Sequence, residues 1–223
     1  MAYTMAHILI AEEVLTFIKA PVDYATYILG TIAPDAVHAA QNYSVVQKER
    51  SHLFVEGAKW GKILNENDFR KWTDNIQSFY IENHNRYGRD FFLGYIVHLY
   101  ADVYSCKKIF APFYVSVKDN FDEKMEQFRK ENYSVNYYLY CEYSKKKNLY
   151  DILSSGHAYS IDGIFEKNLI SPRITQLFSF EFNKKNNSEQ LLENSICTVS
   201  STRKLIKEVA ENIKKIFLDE YNI

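Results

Sequence analysis

The segment from Gly94 to Tyr104, GYIVHLYADVY, places a histidine and an aspartate four positions apart in the most apolar and aromatic stretch of the chain. On a helix, positions i and i+4 share a face roughly 5–6 Å apart, so His98 and Asp102 point the same way and can grip one ion together. A bare ionised carboxylate in a core helix costs several kcal/mol. An adjacent imidazole with a divalent cation offsets that cost, and a buried His–Asp hydrogen bond without metal does so too. The HxxxD spacing is compatible with both.

Three other residues extend the set: His7 in the first apolar segment, Asp35 after the break at Gly30 and Pro34, and His52 in SHLF. With His98 and Asp102 they offer nitrogen and oxygen donors without thiolate, a combination that suits zinc and also iron or manganese. Asp35 has a competing reading as a helix N-cap, because Asp after a Pro-containing turn is a start signal. His38, three residues further on, reads as a surface histidine or as a substitute ligand on the same side of a helical turn. His84, in ENHNRYGRD, reads as solvent-exposed, and His157, in SSGHAYSID, as a remote alternative ligand from the second half of the chain, with a place outside the site the favoured reading.

Helices must position these groups. Residues 4–19 repeat Met5, Ile8, Leu9, Val14 and Phe17 or Ile18 at near-helical spacing, and a short helix after Pro21 ends in a loop at Gly30 and Pro34. A charged patch, QKERSHLF, lies within residues 45–60, and a helix over 66–83 carries Phe69, Trp72, Ile76 and Tyr80 on one side. The run from about Asp90 to Phe110 has no polar stripe outside His98 and Asp102, which predicts a central helix buried on nearly all sides. Residues 118–147 read as peripheral helices, 183–190 as an exposed loop, and 189–221 as one or two closing amphipathic helices. Gly94 stands one turn before His98, where a missing side chain lets substrate or another helix come close.

The chain's 223 residues are enough for one sizeable core, and a single domain over 1–223 is expected. Only 7 Gly and 4 Pro leave few of the turns that a many-stranded sheet needs, so an all-α fold is expected. The 27 Lys and Arg nearly balance 28 Asp and Glu, which gives no global basic field to gather nucleic acid or an anionic membrane. The three cysteines, Cys106, Cys141 and Cys197, lack CxxC spacing and fit neither a disulfide framework nor a thiolate zinc site. The N-terminal segment has no basic region and meets Glu12 and Glu13 early, unlike a secretory signal, and no apolar run approaches about 20 residues. A soluble, cytoplasmic protein without stable membrane insertion is the expectation.

The blocks MAHILIA, YILGTIAPD, SHLF and LGYIVHLYAD, in that order over roughly residues 1–110, resemble the zinc-dependent phospholipase C family. That resemblance, which extends to the related single-strand-specific zinc nucleases, implies a single-domain helical bundle holding a zinc cluster that hydrolyses phosphodiester bonds. It implies Asp35, His52, His98 and Asp102 as ligands of one metal, and His7 as ligand of a second metal that Asp102 bridges. The H-xxx-E element of the family's third site is absent, since Glu166 lies nine residues past His157. The N-terminal amine that secreted members use as a ligand has no clear counterpart, with Met1 six residues before His7.

The expected activity is phosphodiester hydrolysis, phospholipase C-like, by a metal-activated water in a mono- or dinuclear site holding two zinc ions, with iron or manganese as alternatives. Asp35 and Asp102 are the catalytic candidates, Asp35 orienting or deprotonating the water. The expected substrate is a small-molecule phosphoester or lipid head group. The alternatives are a metal-stabilised helical binding protein with an inactive cluster, and a phosphomonoesterase or nuclease acting on a soluble phosphoester. Oligomeric state has no signature in the sequence.

Overall fold

The computed structural model describes residues 3–20, 22–58, 60, 63–117, 120–186 and 197–221. The chain is all-helical. Among the described residues the only β feature is an isolated antiparallel bridge between Ile161 and Phe165.

Helix α1 spans Thr4–Leu15 and buries Met5, His7, Ile8, Ile10, Ala11 and Val14. It stops short of residue 19, with the Thr16 hydroxyl donating to the Glu13 carbonyl at 2.7 Å. Helix α2, Tyr24–Gly30, starts where the Asp23 side chain accepts the Thr26 amide, a cap that satisfies one of the first-turn donors. A 3-10 turn over Pro34–Ala39 follows. Helix α3, Val45–Ser51, begins with a reciprocal capping box between Ser44 and Gln47. Helix α4, Glu66–Asn83, is capped by Asn65 and turns Phe69, Trp72 and Ile76 inward.

Helix α5, Arg89–Ser105, is the centre of the molecule, buried along almost its whole length as its lack of a polar stripe requires. A π-turn over Cys106–Phe110 leads it into α6, Ala111–Ser116. Helices α7, Phe121–Glu142, α8, Leu149–Ser155, and α9, Ile170–Gln176, follow, and a π-turn over Leu177–Glu181 extends the last. Helix α10, Val199–Ile216, opens with a Thr198 and Ser201 capping box and buries Leu205, Ile206, Val209, Ala210 and Ile213 along one stripe. The expected closing helix is therefore present, while residues 189–196 and the end of the expected 183–190 loop lie outside the described residues.

Helix α5 packs against α1, α2, α4 and α10, and one contiguous hydrophobic core surrounds it. Its closest neighbour is α2. A Cβ on Gly94 would lie 2.1 Å from the Tyr27 carbonyl oxygen, and one on Gly30 would lie 2.1 Å from the Phe91 carbonyl oxygen. The two glycines thus allow backbone-to-backbone contact at the crossing, and Gly94 serves helix packing rather than substrate approach.

Candidate metal centre

Four elements deliver the five expected residues to one buried point. His7 comes from α1, Asp35 from the 3-10 turn after α2, His52 from the C-cap of α3, and His98 and Asp102 from α5. His7, His52, His98 and Asp102 are each at most 2% exposed and Asp35 is 9% exposed, so the donors are shielded from water.

Asp35 is not an N-cap. Ala33 occupies that position, and Asp35 sits inside the first turn with its carboxylate directed into the cluster. The competing reading from local sequence fails because the Pro34 turn is short and is held against α3 and α5.

Backbone carbonyls orient the rings. His98 Nδ1 lies 2.7 Å from the Thr31 carbonyl oxygen, and His52 Nδ1 lies 2.9 Å from that of Lys48. A carbonyl only accepts, so each Nδ1 carries the proton and each Nε2 presents a lone pair. His52 is held from behind as well: Trp72 Nε1 donates to its carbonyl at 2.8 Å, and the Tyr95 hydroxyl donates to the Ser51 carbonyl at 2.6 Å. The next residue, Leu53, takes the left-handed conformation at φ 50°, a strained turn that costs about 1 kcal/mol and ends α3 with His52 pointing inward.

The lone pairs converge. His52 Nε2 is 3.2 Å from His98 Nε2, 3.4 Å from Asp102 Oδ2 and 3.5 Å from Asp35 Oδ1. His7 stacks on His98 with ring centroids 3.7 Å apart, and its Nε2 is 3.4 Å from Asp102 Oδ1. That contact is long for a hydrogen bond, and neither ring nitrogen of His7 has a hydrogen-bond partner among the described residues. Asp102 thus reaches His52 with one oxygen and His7 with the other.

Burial pushes the His52 imidazole down to about 4, with the nearby Lys48 ammonium adding to the effect. Burial, then the neighbouring His7 ring, holds His98 well below its ordinary value. Burial opposes ionisation of Asp35, yet Lys48 and the rings of His38, His98 and His52 hold its carboxyl well below the usual range. For Asp102 burial again opposes, and His7 holds the carboxyl low. At neutral pH the cluster therefore presents neutral imidazoles at His52 and His98 beside two carboxylates, the protonation state a divalent cation requires.

The residues present fit a metal. Tetrahedral ligands at about 2.0–2.2 Å from zinc lie about 3.3–3.5 Å from one another, which matches the donor separations around His52. Two donor triads have all their ligand atoms within 4.8 Å of one another, His7 with Asp35 and His98, and His52 with His98 and Asp102. They share His98, so two adjacent positions overlap. Imidazole lone pairs facing carboxylate oxygens are costly to bury; the Lys48 ammonium offsets that cost at Asp35, and a cation among the donors would offset the rest.

The other histidines separate from the site in different ways. His84 caps α4 and is exposed, as its polar surroundings suggest, and His157 is exposed and packs on Tyr159. His38 is neither a free surface residue nor part of the two triads; its Nδ1 lies 3.6 Å from Asp35 Oδ1 at the rim. Lys48, whose Nζ is 3.3 Å from the same oxygen, was hidden in the charged QKERSHLF patch. Its position four residues before His52, on the same face of α3, is the signal that marks it. Arg173 and Glu181 also reach the rim of the site, and no local motif in the second half of the chain announces them.

No helix among the described residues is long and apolar enough to cross a membrane. Comparison with known proteins found no matching family model, no matching curated protein and no matching solved structure, so the meaning of this cluster rests on its own geometry.

Proposed function

We propose that this chain is a metal-dependent phosphoric ester hydrolase of the zinc-dependent phospholipase C type. The observation that carries the reading is the convergence of Asp35, His52, His98 and Asp102, with the His7 ring beside them, at a buried point where imidazole nitrogens face carboxylate oxygens and the Lys48 ammonium stands at the Asp35 edge. Two zinc ions suit the overlapping triads, and iron or manganese suits the same donors.

A bound divalent ion would supply Lewis acidity and a lowered pKa for water at neutral pH. The residues of the chain divide the remaining work. His52 and His98 are locked by carbonyls in the tautomer that offers Nε2 inward, and Asp102, deep in the core, presents one oxygen beside His52 and the other beside His7, where each could share an ion with the neighbouring ring. Asp35 stands where the cluster meets an adjoining cavity, which suits it to orient the attacking water and to take its proton. Two carboxylates balance one divalent ion, and a second ion leaves an excess positive charge that favours an anionic phosphoester.

The same reading places the protein in the cytoplasm, acting on a small-molecule phosphoester or a lipid head group. Its three cysteines are free, as a reducing compartment requires. Elemental analysis of purified protein should give one to two equivalents of zinc, iron or manganese per chain, and a generic aryl phosphodiester should be hydrolysed in a chelator-sensitive way. Stoichiometric metal with no turnover on a panel of phosphodiesters and phosphomonoesters would instead identify a metal-stabilised binding protein. Less than a tenth of an equivalent after metal reconstitution, with no turnover, removes the proposal.

A further inference from the structure

His98 belongs to both donor triads, yet it can serve only one ion. Its Nδ1 carries the proton that faces the Thr31 carbonyl at 2.7 Å, so Nε2 holds the single lone pair turned inward. That nitrogen lies 3.2 Å from His52 Nε2, which in turn lies 3.4 Å from Asp102 Oδ2, and these three donors suffice for one ion. A second ion is then left with His7, Asp35 and the other Asp102 oxygen, 3.4 Å from His7 Nε2.

Asp35 is the member of that second set already engaged. Lys48 Nζ donates to its Oδ1 at 3.3 Å, between side chains only 15% and 13% exposed. His52 Nε2 and His38 Nδ1 approach the same oxygen at 3.5 and 3.6 Å, but Lys48 alone brings an ammonium. Lys48 is itself held in place: its carbonyl accepts from His52 Nδ1 at 2.9 Å, and its ammonium lies 4.9 Å from the centre of the Trp60 ring. An ammonium and a divalent ion on one buried carboxylate repel each other with little water to screen them. Against the two carboxylates, Lys48 with one divalent ion leaves a single positive charge in excess, whereas Lys48 with two ions leaves three.

We propose that Lys48 is a built-in cation standing in for a second metal: the chain takes one divalent ion, held by His52, His98 and Asp102, and Lys48 keeps Asp35 as its own counter-ion. The proposal rests on the metal reading and narrows it from one or two ions to one. Three protein ligands with a fourth position open is the pattern of catalytic rather than structural zinc. Asp35, tied to Lys48 at the edge of the adjoining cavity, then remains available to orient a water. Lys48 is here a positioning residue, acting through Asp35.

The test is a metal count. The full chain is stripped with chelator, reloaded with excess zinc, freed of unbound metal by gel filtration and analysed for zinc per chain, as wild type, Lys48→Arg and Lys48→Met, with circular dichroism to confirm folding. One equivalent is expected in the wild type and in Lys48→Arg, which keeps the charge, and two in Lys48→Met, which keeps the stem and loses it. Lys48→Gln takes the place of Lys48→Met if the latter does not fold. Adding His7→Ala to the neutral variant should return the count to one, because His7 serves only the second ion. Two equivalents in the wild type, or a single one in the folded neutral variant, overturns the role of Lys48 and leaves the metal reading standing. Failure of every protein to retain zinc removes both.

Discussion

Gly94→Ala is expected to lower the melting temperature by about 6–12 °C. The added Cβ would lie 2.1 Å from the Tyr27 carbonyl oxygen and 3.1 Å from the Thr31 amide nitrogen, both backbone atoms of a neighbouring segment that has no flexible end to move aside. Overpacking of this kind costs about 3 kcal/mol or more, and a domain of this size loses about 2–4 °C per kcal/mol. Helix propensity acts in the other direction, since Ala is favoured over Gly by about 1 kcal/mol in a helix interior. The steric term wins because the clash is with backbone. Thermal denaturation followed by circular dichroism measures the balance, and a variant as stable as the wild type or more so would show that α2 and α5 do not cross in backbone contact. Pushing α2 away also moves the Thr31 carbonyl that orients His98, so the surviving folded protein should bind metal less tightly.

Metal binding should be the second large effect. A ligand that binds only the folded state at about a thousandfold over its dissociation constant adds about 4 kcal/mol, so reconstitution of chelated protein with zinc should raise the melting temperature by about 8–16 °C. Asp102→Asn is nearly isosteric, yet it removes the charge and one of the two oxygens that face His7 and His52. The zinc-induced shift should fall to a quarter or less in this variant, while His84→Ala, altered at an exposed helix end, should keep all of it. Retention of the full shift by Asp102→Asn would mean that the ion sits elsewhere.

Both effects depend on relationships of different legibility. The helices follow from local chemistry: periodic apolar residues along α1, α4 and α10, the unbroken apolar run of α5, and the caps at Asp23, Ser44, Asn65 and Thr198. The pairing of His98 with Asp102 follows as well, because the helical repeat places residues four apart on one face whatever surrounds them. Even Lys48 was within reach by the same rule, four residues before His52.

Tertiary structure decided the rest. Asp35 is compatible with an N-cap or a ligand until the Pro34 turn is packed on α3 and α5, and only that packing turns its carboxylate inward. Gly94 carries no local mark of its partner; the approach of Tyr27 assigns it to the helix crossing. Arg173 and Glu181 lie more than 120 residues beyond Lys48 in the chain, and no spacing rule connects them to the cavity they share with it. Periodicity determines which side chains leave one helix together, because a single element's geometry is set by its own backbone. Which faces of different elements meet depends on the packing of the whole core, and there the donors of this site are brought together.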